Sequence, residues 1–245
     1  LDQRAIGEPL WPNKYSAKEC ENIRLSVGSK VWAGLYQQRP APLEGSLIKR
    51  DWFRFYRQLP QEAIIKGEWL QSWDLSFKGA SDSDFVVGQV WVRIQGRKYL
   101  VDQFRARVGF TETVSAIRPM SAKWPLASVK LIEDKANGPA VIDSIAKEIG
   151  GGIAVNVKDS KIARLNAVAP DFEAGDVLIP ESEQAAWVHD YMEEVASFPS
   201  AAHDDQVDST TQALLRFKGQ SSGDFSENLV PKSNKTISGQ RGKRW

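Results

Sequence analysis

The sequence predicts an α/β fold, a mixed β-sheet with helices on both of its faces. Three observations carry that expectation. Three strand candidates, one with apolar-polar alternation and one rich in valine and aromatics, follow one another across turns, as in an antiparallel meander. Short apolar segments then alternate with helical ones, the pattern of βαβ units. A hydrophobic content of 42% over 245 residues is enough for a substantial core.

The elements follow in chain order. Ser16 to Ala33 reads as a helix, with Ser16 as N-cap and Glu19 at the capping-box spacing. Leu35-Tyr36-Gln37-Gln38-Arg39-Pro40-Ala41-Pro42 and Gly45 read as an extended connector, so residues 1–50 form a tail or linker from a preceding domain. The main body, residues 51–217, begins near Trp52. Its meander comprises strands over 68–77, 85–94 and 98–108, separated by turns with Gly79, Ser81, Asp82, Ser83 and Gly96. A helix over 111–123, with Thr111 as cap, leads to a buried strand, Ser128 to Glu133. Pro139 suits the first turn of a helix over 139–149, and Gly150-Gly151-Gly152 ends it. A strand over 153–157, a helix over 160–174, a strand over 177–179 and helices over 181–196 and 203–217 complete the body. From Lys218 on there are six basic residues and two acidic ones, a local charge of +4, in a Gly-, Ser- and Asn-rich stretch. Residues 218–245 therefore read as a flexible basic tail.

Composition excludes several classes. The net charge is +1, from 32 basic and 31 acidic residues, so nucleic acid would be held by local patches and not by bulk charge. Cys20 is the single cysteine, which excludes an internal disulfide and a multi-cysteine zinc site and fits a reducing, intracellular setting. No apolar run reaches the roughly 20 residues of a membrane helix. The polar start, Leu1-Asp2-Gln3-Arg4, is unlike a signal peptide, and the missing initiator Met suggests a fragment or processed product. There is no phosphate-cradling G-x-x-x-x-G-K-[ST] loop. Cysteine or histidine chemistry has only Cys20, His189 and His203 to draw on.

The acidic residues are more informative. Asp74 lies inside the apolar run Leu70, Trp73, Leu75, Phe77. Glu133 ends a strand, and Asp204 and Asp205 open the last helix. A charge within a buried strand is costly unless it is paired or bound to metal. Two strand-borne carboxylates reaching a third on a helix make an oxygen-rich pocket suited to Mg²⁺ or Mn²⁺. Spacing alone leaves the plainer alternative open: turn or cap residues, and acids favoured by a helix N-terminus.

Several motifs resemble the C-terminal half of the large terminase subunit of tailed bacteriophages, over about residues 7 to 217. Gly7-Glu8-Pro9-Leu10-Trp11-Pro12 and Tyr36-Gln37-Gln38-Arg39-Pro40 are similar to the end of the motor's ATPase half and its linker. Ser72-Trp73-Asp74-Leu75-Ser76-Phe77-Lys78 with Ser83-Asp84-Phe85, then Glu133-Asp134-Lys135-Ala136-Asn137-Gly138, then His203-Asp204-Asp205-Gln206-Val207-Asp208, resemble the three nuclease motifs. Phe172-Glu173-Ala174-Gly175-Asp176-Val177, after Lys161 and Arg164, is similar to a block on the DNA side.

The resemblance implies a ribonuclease-H-like fold and metal-dependent endonucleolytic cutting of concatemeric double-stranded DNA during packaging. It implies Asp74, Glu133 and Asp205 as the metal ligands; the expected mechanism is two-metal hydrolysis with Mg²⁺ or Mn²⁺, Asp74 bridging the ions. Asp84 matches an auxiliary acid and Asp204 an accessory ligand or orienting group. Asp134 is the alternative to Glu133, since strand neighbours face opposite ways. His203 either packs before the helix and orients the acids, or places a water or the scissile phosphate. Lys135, Lys158, Lys161 and Arg164 are candidate phosphate contacts, against the alternative that the last three form a solvated face. The implied partners are double-stranded DNA, the ATPase domain of the full-length chain, the portal protein and the small terminase subunit, in the host cytoplasm and without a membrane. Two other readings remain: a resolvase- or transposase-like nuclease of the same fold, and a non-catalytic docking module of the motor.

Overall fold

The computed structural model describes residues 8–38, 47–75, 85–133, 138–146 and 149–219. Among these, seven strands form one sheet: β1 (Arg54–Tyr56), β2 (Glu68–Asp74), β3 (Val86–Ile94), β4 (Arg97–Ala106), β5 (Val129–Glu133), β6 (Gly152–Val155) and β7 (Val177–Pro180). Their spatial order is β1-β7-β4-β3-β2-β5-β6. The expected meander is present, with β3 antiparallel to both β2 and β4. β5 lies parallel to β2 and β6 parallel to β5, while β7 lies parallel to β4 and β1. The sheet is mixed because the hairpins reverse direction and the helical crossovers restore it.

The helices are α1 (Ala17–Val31), α2 (Gln61–Lys66), α3 (Phe110–Lys123), α4 (Gly138–Ala146), α5 (Lys161–Glu173), α6 (Val188–Ser197) and α7 (Asp205–Phe217). Strand alternation sorts the core into two layers. On one face Leu70, Trp91, Leu100 and Leu131 pack with Leu165 and Phe172 of α5, Tyr191 of α6 and Leu214 of α7. On the other, Trp69, Trp73, Val90 and Ile132 pack with Ala63 of α2, Ile117 and Met120 of α3, and Val141 and Ile145 of α4. Helices thus cover both faces, as the apolar periodicities require. Each fully buried large aliphatic or aromatic side chain contributes about 1.5–3 kcal/mol.

Local signals account for most boundaries. Ser16 caps α1 in a complete capping box with Glu19. Gly28 interrupts that helix at φ 77°, where a Cβ would press on Pro170 of α5, and the Ser29 N–H donates to Glu173 at 2.7 Å. Gly88 faces its cross-strand partner Trp73 so closely that a Cβ would lie 2.4 Å from the indole ring.

Three expectations need correction, and two short elements add to them. α3 is capped by Gly109, not Thr111; the Thr113 hydroxyl donates back to the Gly109 carbonyl at 2.7 Å. β1 and α2 were not foreseen, since three- and six-residue elements carry too little periodicity to register. The helix expected from Glu181 begins only at Val188. The Glu181 N–H is instead drawn to the Tyr56 carbonyl at 3.2 Å, and the Gln184 side chain donates to the Arg57 carbonyl at 2.7 Å. Asp74 closes β2 rather than lying within a longer strand.

Candidate functional site

Two of the singled-out carboxylates lie side by side. β2 and β5 run parallel with Trp73 opposite Ile132, so the next residues, Asp74 and Glu133, end neighbouring strands at the same edge. That edge is the carboxyl end of the parallel strands, where open α/β sheets bind ligands. Both side chains share a face. Asp74 follows Ser72, whose hydroxyl donates to the Ser209 carbonyl of α7 at 2.7 Å; Glu133 follows Leu131 of the core beneath α7. Both are buried, at 2% and 3% exposure.

α7 brings the third carboxylate over them through a polar ladder. Ser72 and Ser209 exchange hydroxyl-to-carbonyl hydrogen bonds of 2.7 and 2.8 Å. The Gln212 amide donates to the Ser72 hydroxyl at 2.9 Å and to the Leu131 carbonyl at 3.1 Å, joining the helix to both acid-bearing strands. The Gln89 amide donates to Gln103 at 2.9 Å, and Gln103 donates to the Gln206 side chain at 2.8 Å. Gln206 donates in turn from its backbone and side chain to Glu194 of α6, at 2.7 and 2.6 Å. At the far end the Arg93 guanidinium donates to the Phe217 carbonyl. α7 therefore runs from the Asp74 end of β2 towards its Glu68 end. Its first residue, Asp205, is 2% exposed and accepts from the Phe85 N–H at 3.2 Å. Phe85 lies two residues before Val87, the partner of Asp74.

A fourth acid belongs to this group. Asp208 is three residues from Asp205, hence on the same face of α7, and is 2% exposed. Arg164 donates to its Oδ1 at 2.7 Å, and the Lys161 ammonium lies 2.8 Å from its Oδ2. Burial pushes the Asp208 carboxyl above its ordinary range; Arg164 and Lys161 pull it back, and the nearby charge of Glu133 pushes it further up. Lys161 also pairs with Asp204 at 2.6 Å. Burial acts to lower its pKa, but these hydrogen bonds outweigh burial and raise it. Sequence reasoning quoted Asp208 within its motif without assigning it a place; the i, i+3 spacing from Asp205 was the available signal.

The remaining candidates separate. Arg164, expected on a DNA-facing surface, is 4% exposed and committed to Asp208, because α5 turns this residue towards α7. Its guanidinium thus braces α5 against α7 within the fold. Lys161 is half-buried in the same network. Lys158 is exposed, three residues beyond the end of β6 and at the edge that carries the acids. His203 stacks edge-on against the Phe85 ring, with centroids 5.0 Å apart, the packing alternative considered for it. Asp84, Asp134 and Lys135 lie outside the described residues.

Two strand-end carboxylates beneath a third on a helix supply the oxygen donors that hard divalent cations take. Among the described residues no group of three or more His, Cys, Asp or Glu side chains that could hold a metal ion is already assembled. None of the described helices is long and apolar enough to cross a membrane.

Comparison with known proteins agrees with the architecture. Residues 71–217, more than half of the chain, match the family model of the terminase RNase H-like domain. The large terminase nuclease of thermophilic phage G20c, solved with cobalt, superposes with a TM-score of 0.53 at 16% identity, covering 71% of this chain and 98% of that one. Its magnesium-bound form gives 0.52 at the same identity and coverage. The large terminase of a second thermophilic bacteriophage gives 0.57 at 11% identity, covering 82% of this chain and 52% of that one. This chain thus corresponds to about half of that second, longer protein. At these identities the likeness establishes the RNase H-like fold. The chain matches no curated protein sequence.

Proposed function

We propose that this chain, which belongs to the terminase RNase H-like domain family, is a metal-dependent endonuclease that cuts concatemeric double-stranded DNA during viral genome packaging. The observation that carries the proposal is the placement of Asp74 and Glu133 at adjacent parallel strand ends, with Asp205 held above them by α7. That donor set fits Mg²⁺ or Mn²⁺, and G20c nuclease structures contain bound cobalt, magnesium or zinc. Asp74, Glu133 and Asp205 would hold the metal.

When bound, a pair of such ions supplies an activated water and stabilises the departing oxygen of a phosphodiester. The chain's own contribution is positioning. The Ser72–Ser209 exchange and the Gln212 clamp fix the helix-borne acid relative to the strand-borne pair. Arg164 and Lys161 neutralise Asp208, which prevents a fourth uncompensated charge from accumulating beside Glu133. Asp204, tied to Lys161, orients the start of α7, and His203 packs on Phe85 behind it. Asp84 and Asp134 are auxiliary acids in this reading. Lys135 and Lys158 contact phosphates without reading sequence.

Residues 1–50 would connect to an ATPase domain in the full-length chain, and residues 218–245 would add a basic tail. The portal protein and small terminase subunit are the proposed partners, and the host cytoplasm the location. Nicking of supercoiled plasmid with Mg²⁺ or Mn²⁺ tests the activity. The wild type is expected to cut and Asp74→Ala to be inactive; cutting that survives Asp74→Ala would refute the assignment. Branched-junction preference or strand joining among the products would point instead to a resolvase or a transposase. Absence of carboxylate-dependent Mn²⁺ binding would point to a docking module.

A further inference from the structure

We propose that Arg107 is a phosphate-binding residue that holds the DNA backbone beside the acidic site, with Phe85 as the platform that fixes its guanidinium. The inference rests on the nuclease reading above and adds a contact that the sequence motifs do not contain.

β4 leaves the sheet at Ala106, and Arg107 is the next residue, exposed. β4 runs parallel to β2, so this end of β4 lies at the edge where Asp74 lies. The Arg107 guanidinium carbon sits over the Phe85 ring, 4.6 Å from its centroid. Phe85 is itself fixed to the acidic site: its backbone N–H donates to Asp205 at 3.2 Å, and His203 packs edge-on against its ring. The guanidinium is therefore held beside the residue whose backbone binds Asp205.

A second arginine, Arg105, lies 3.9 Å from the same ring, but its situation differs. Its Nη2 is 3.0 Å from Glu194, a buried carboxylate that also accepts from Gln206, so its charge is neutralised within the fold. Among the described residues Arg107 has no carboxylate partner. An arginine stacked on an aromatic face keeps its N–H edge available in the plane of the group. That edge matches a phosphate, which accepts two parallel hydrogen bonds. The ligand class is thus the backbone phosphodiester, and the contact carries no base preference.

The position of the contact in the sheet adds to this. In the order β4-β3-β2-β5-β6, Arg107 follows the strand at one end and Lys158 follows the strand at the other. The acid-bearing strands β2 and β5 lie between them. Four strand intervals span about 19 Å, so cationic side chains flank the carboxylates on both sides. This arrangement attracts a polyanion while keeping the centre acidic for metal.

The test is binding of a fluorescein-labelled DNA duplex to the 245-residue chain by anisotropy, in EDTA, across a salt series. Arg107→Ala should weaken binding roughly three- to tenfold and reduce the slope of log K against log salt by about 0.9, the value for one phosphate contact. Arg107→Lys should keep the slope and bind with intermediate affinity, since it retains the charge without the planar fork. It also preserves the test should the alanine variant fold poorly. Arg97→Ala, at the opposite end of β4 and roughly 33 Å away at about 3.3 Å per residue, should behave as wild type. An Arg107→Ala affinity and slope equal to wild type would overturn the contact, even if the wild type cuts DNA. A reduced slope in a protein that never cuts would keep the contact and remove the nuclease reading.

Discussion

Replacing Arg164 with leucine separates an internal strut from a DNA contact. Arg164 and Asp208 are 4% and 2% exposed, and their charged atoms are 2.7 Å apart. Removing one member of such a buried pair costs about 3–5 kcal/mol, because the other charge is left in a poorly solvated place. Lys161 stays 2.8 Å from the second oxygen of Asp208, which sets the expectation at the lower end, about 3 kcal/mol. For a domain of this size that lowers Tm by roughly 6–12 °C. The loss also has a pH signature. The Asp208 carboxyl already stands above its ordinary value of 3.8, so its ionisation opposes folding. Its contribution is most favourable below that value and declines as pH rises through the raised folded pKa. Without Arg164 the folded pKa rises further, and the penalty is largest at neutral and alkaline pH. Melting curves in EDTA should therefore show a greater deficit at about pH 8 than at about pH 5. An unchanged Tm with weakened DNA binding would restore Arg164 as a phosphate contact, and a deficit that grows towards acid pH would refute the electrostatic account.

Other perturbations probe the scaffold. Gln212→Leu removes the donor to Ser72 and the Leu131 carbonyl and should cost about 1–3 kcal/mol in denaturant unfolding. It should also lower the nicking rate with little change in apparent DNA affinity, because it loosens the acids relative to one another. Gly88→Ala places a Cβ 2.4 Å from the Trp73 ring and should cost about 1–3 kcal/mol by overpacking; a denaturation midpoint equal to wild type would show that Trp73 has room to move.

The sheet was legible because its strands announce themselves. Val86–Ile94 is long and rich in valine, Arg97–Ala106 is long and carries Tyr99, Val101 and Phe104, and a turn at Gly96 separates them. The capping box at Ser16 likewise fixed the start of α1 from four residues of sequence. What escaped was whatever tertiary contact decides. β1 exists because β7 lies beside it, and the stretch after Pro180 is extended because Arg57 and Tyr56 hold it. Asp74 and Glu133 could be singled out as acids in apolar surroundings, but their adjacency depends on β2 pairing in register with β5, which no local pattern encodes. The same limit applies to Arg164. A basic residue near a helix start reads as a solvated contact, and only the approach of α7 turns it into the partner of Asp208. Arg107 was silent for the converse reason: its platform, Phe85, lies on another strand's approach.

The most direct test of the central claim is an anomalous difference map from a crystal soaked in Mn²⁺. The account predicts manganese peaks bounded by the carboxylates of Asp74, Glu133 and Asp205. Peaks held elsewhere, or none at saturating Mn²⁺ with these three side chains ordered, would contradict it.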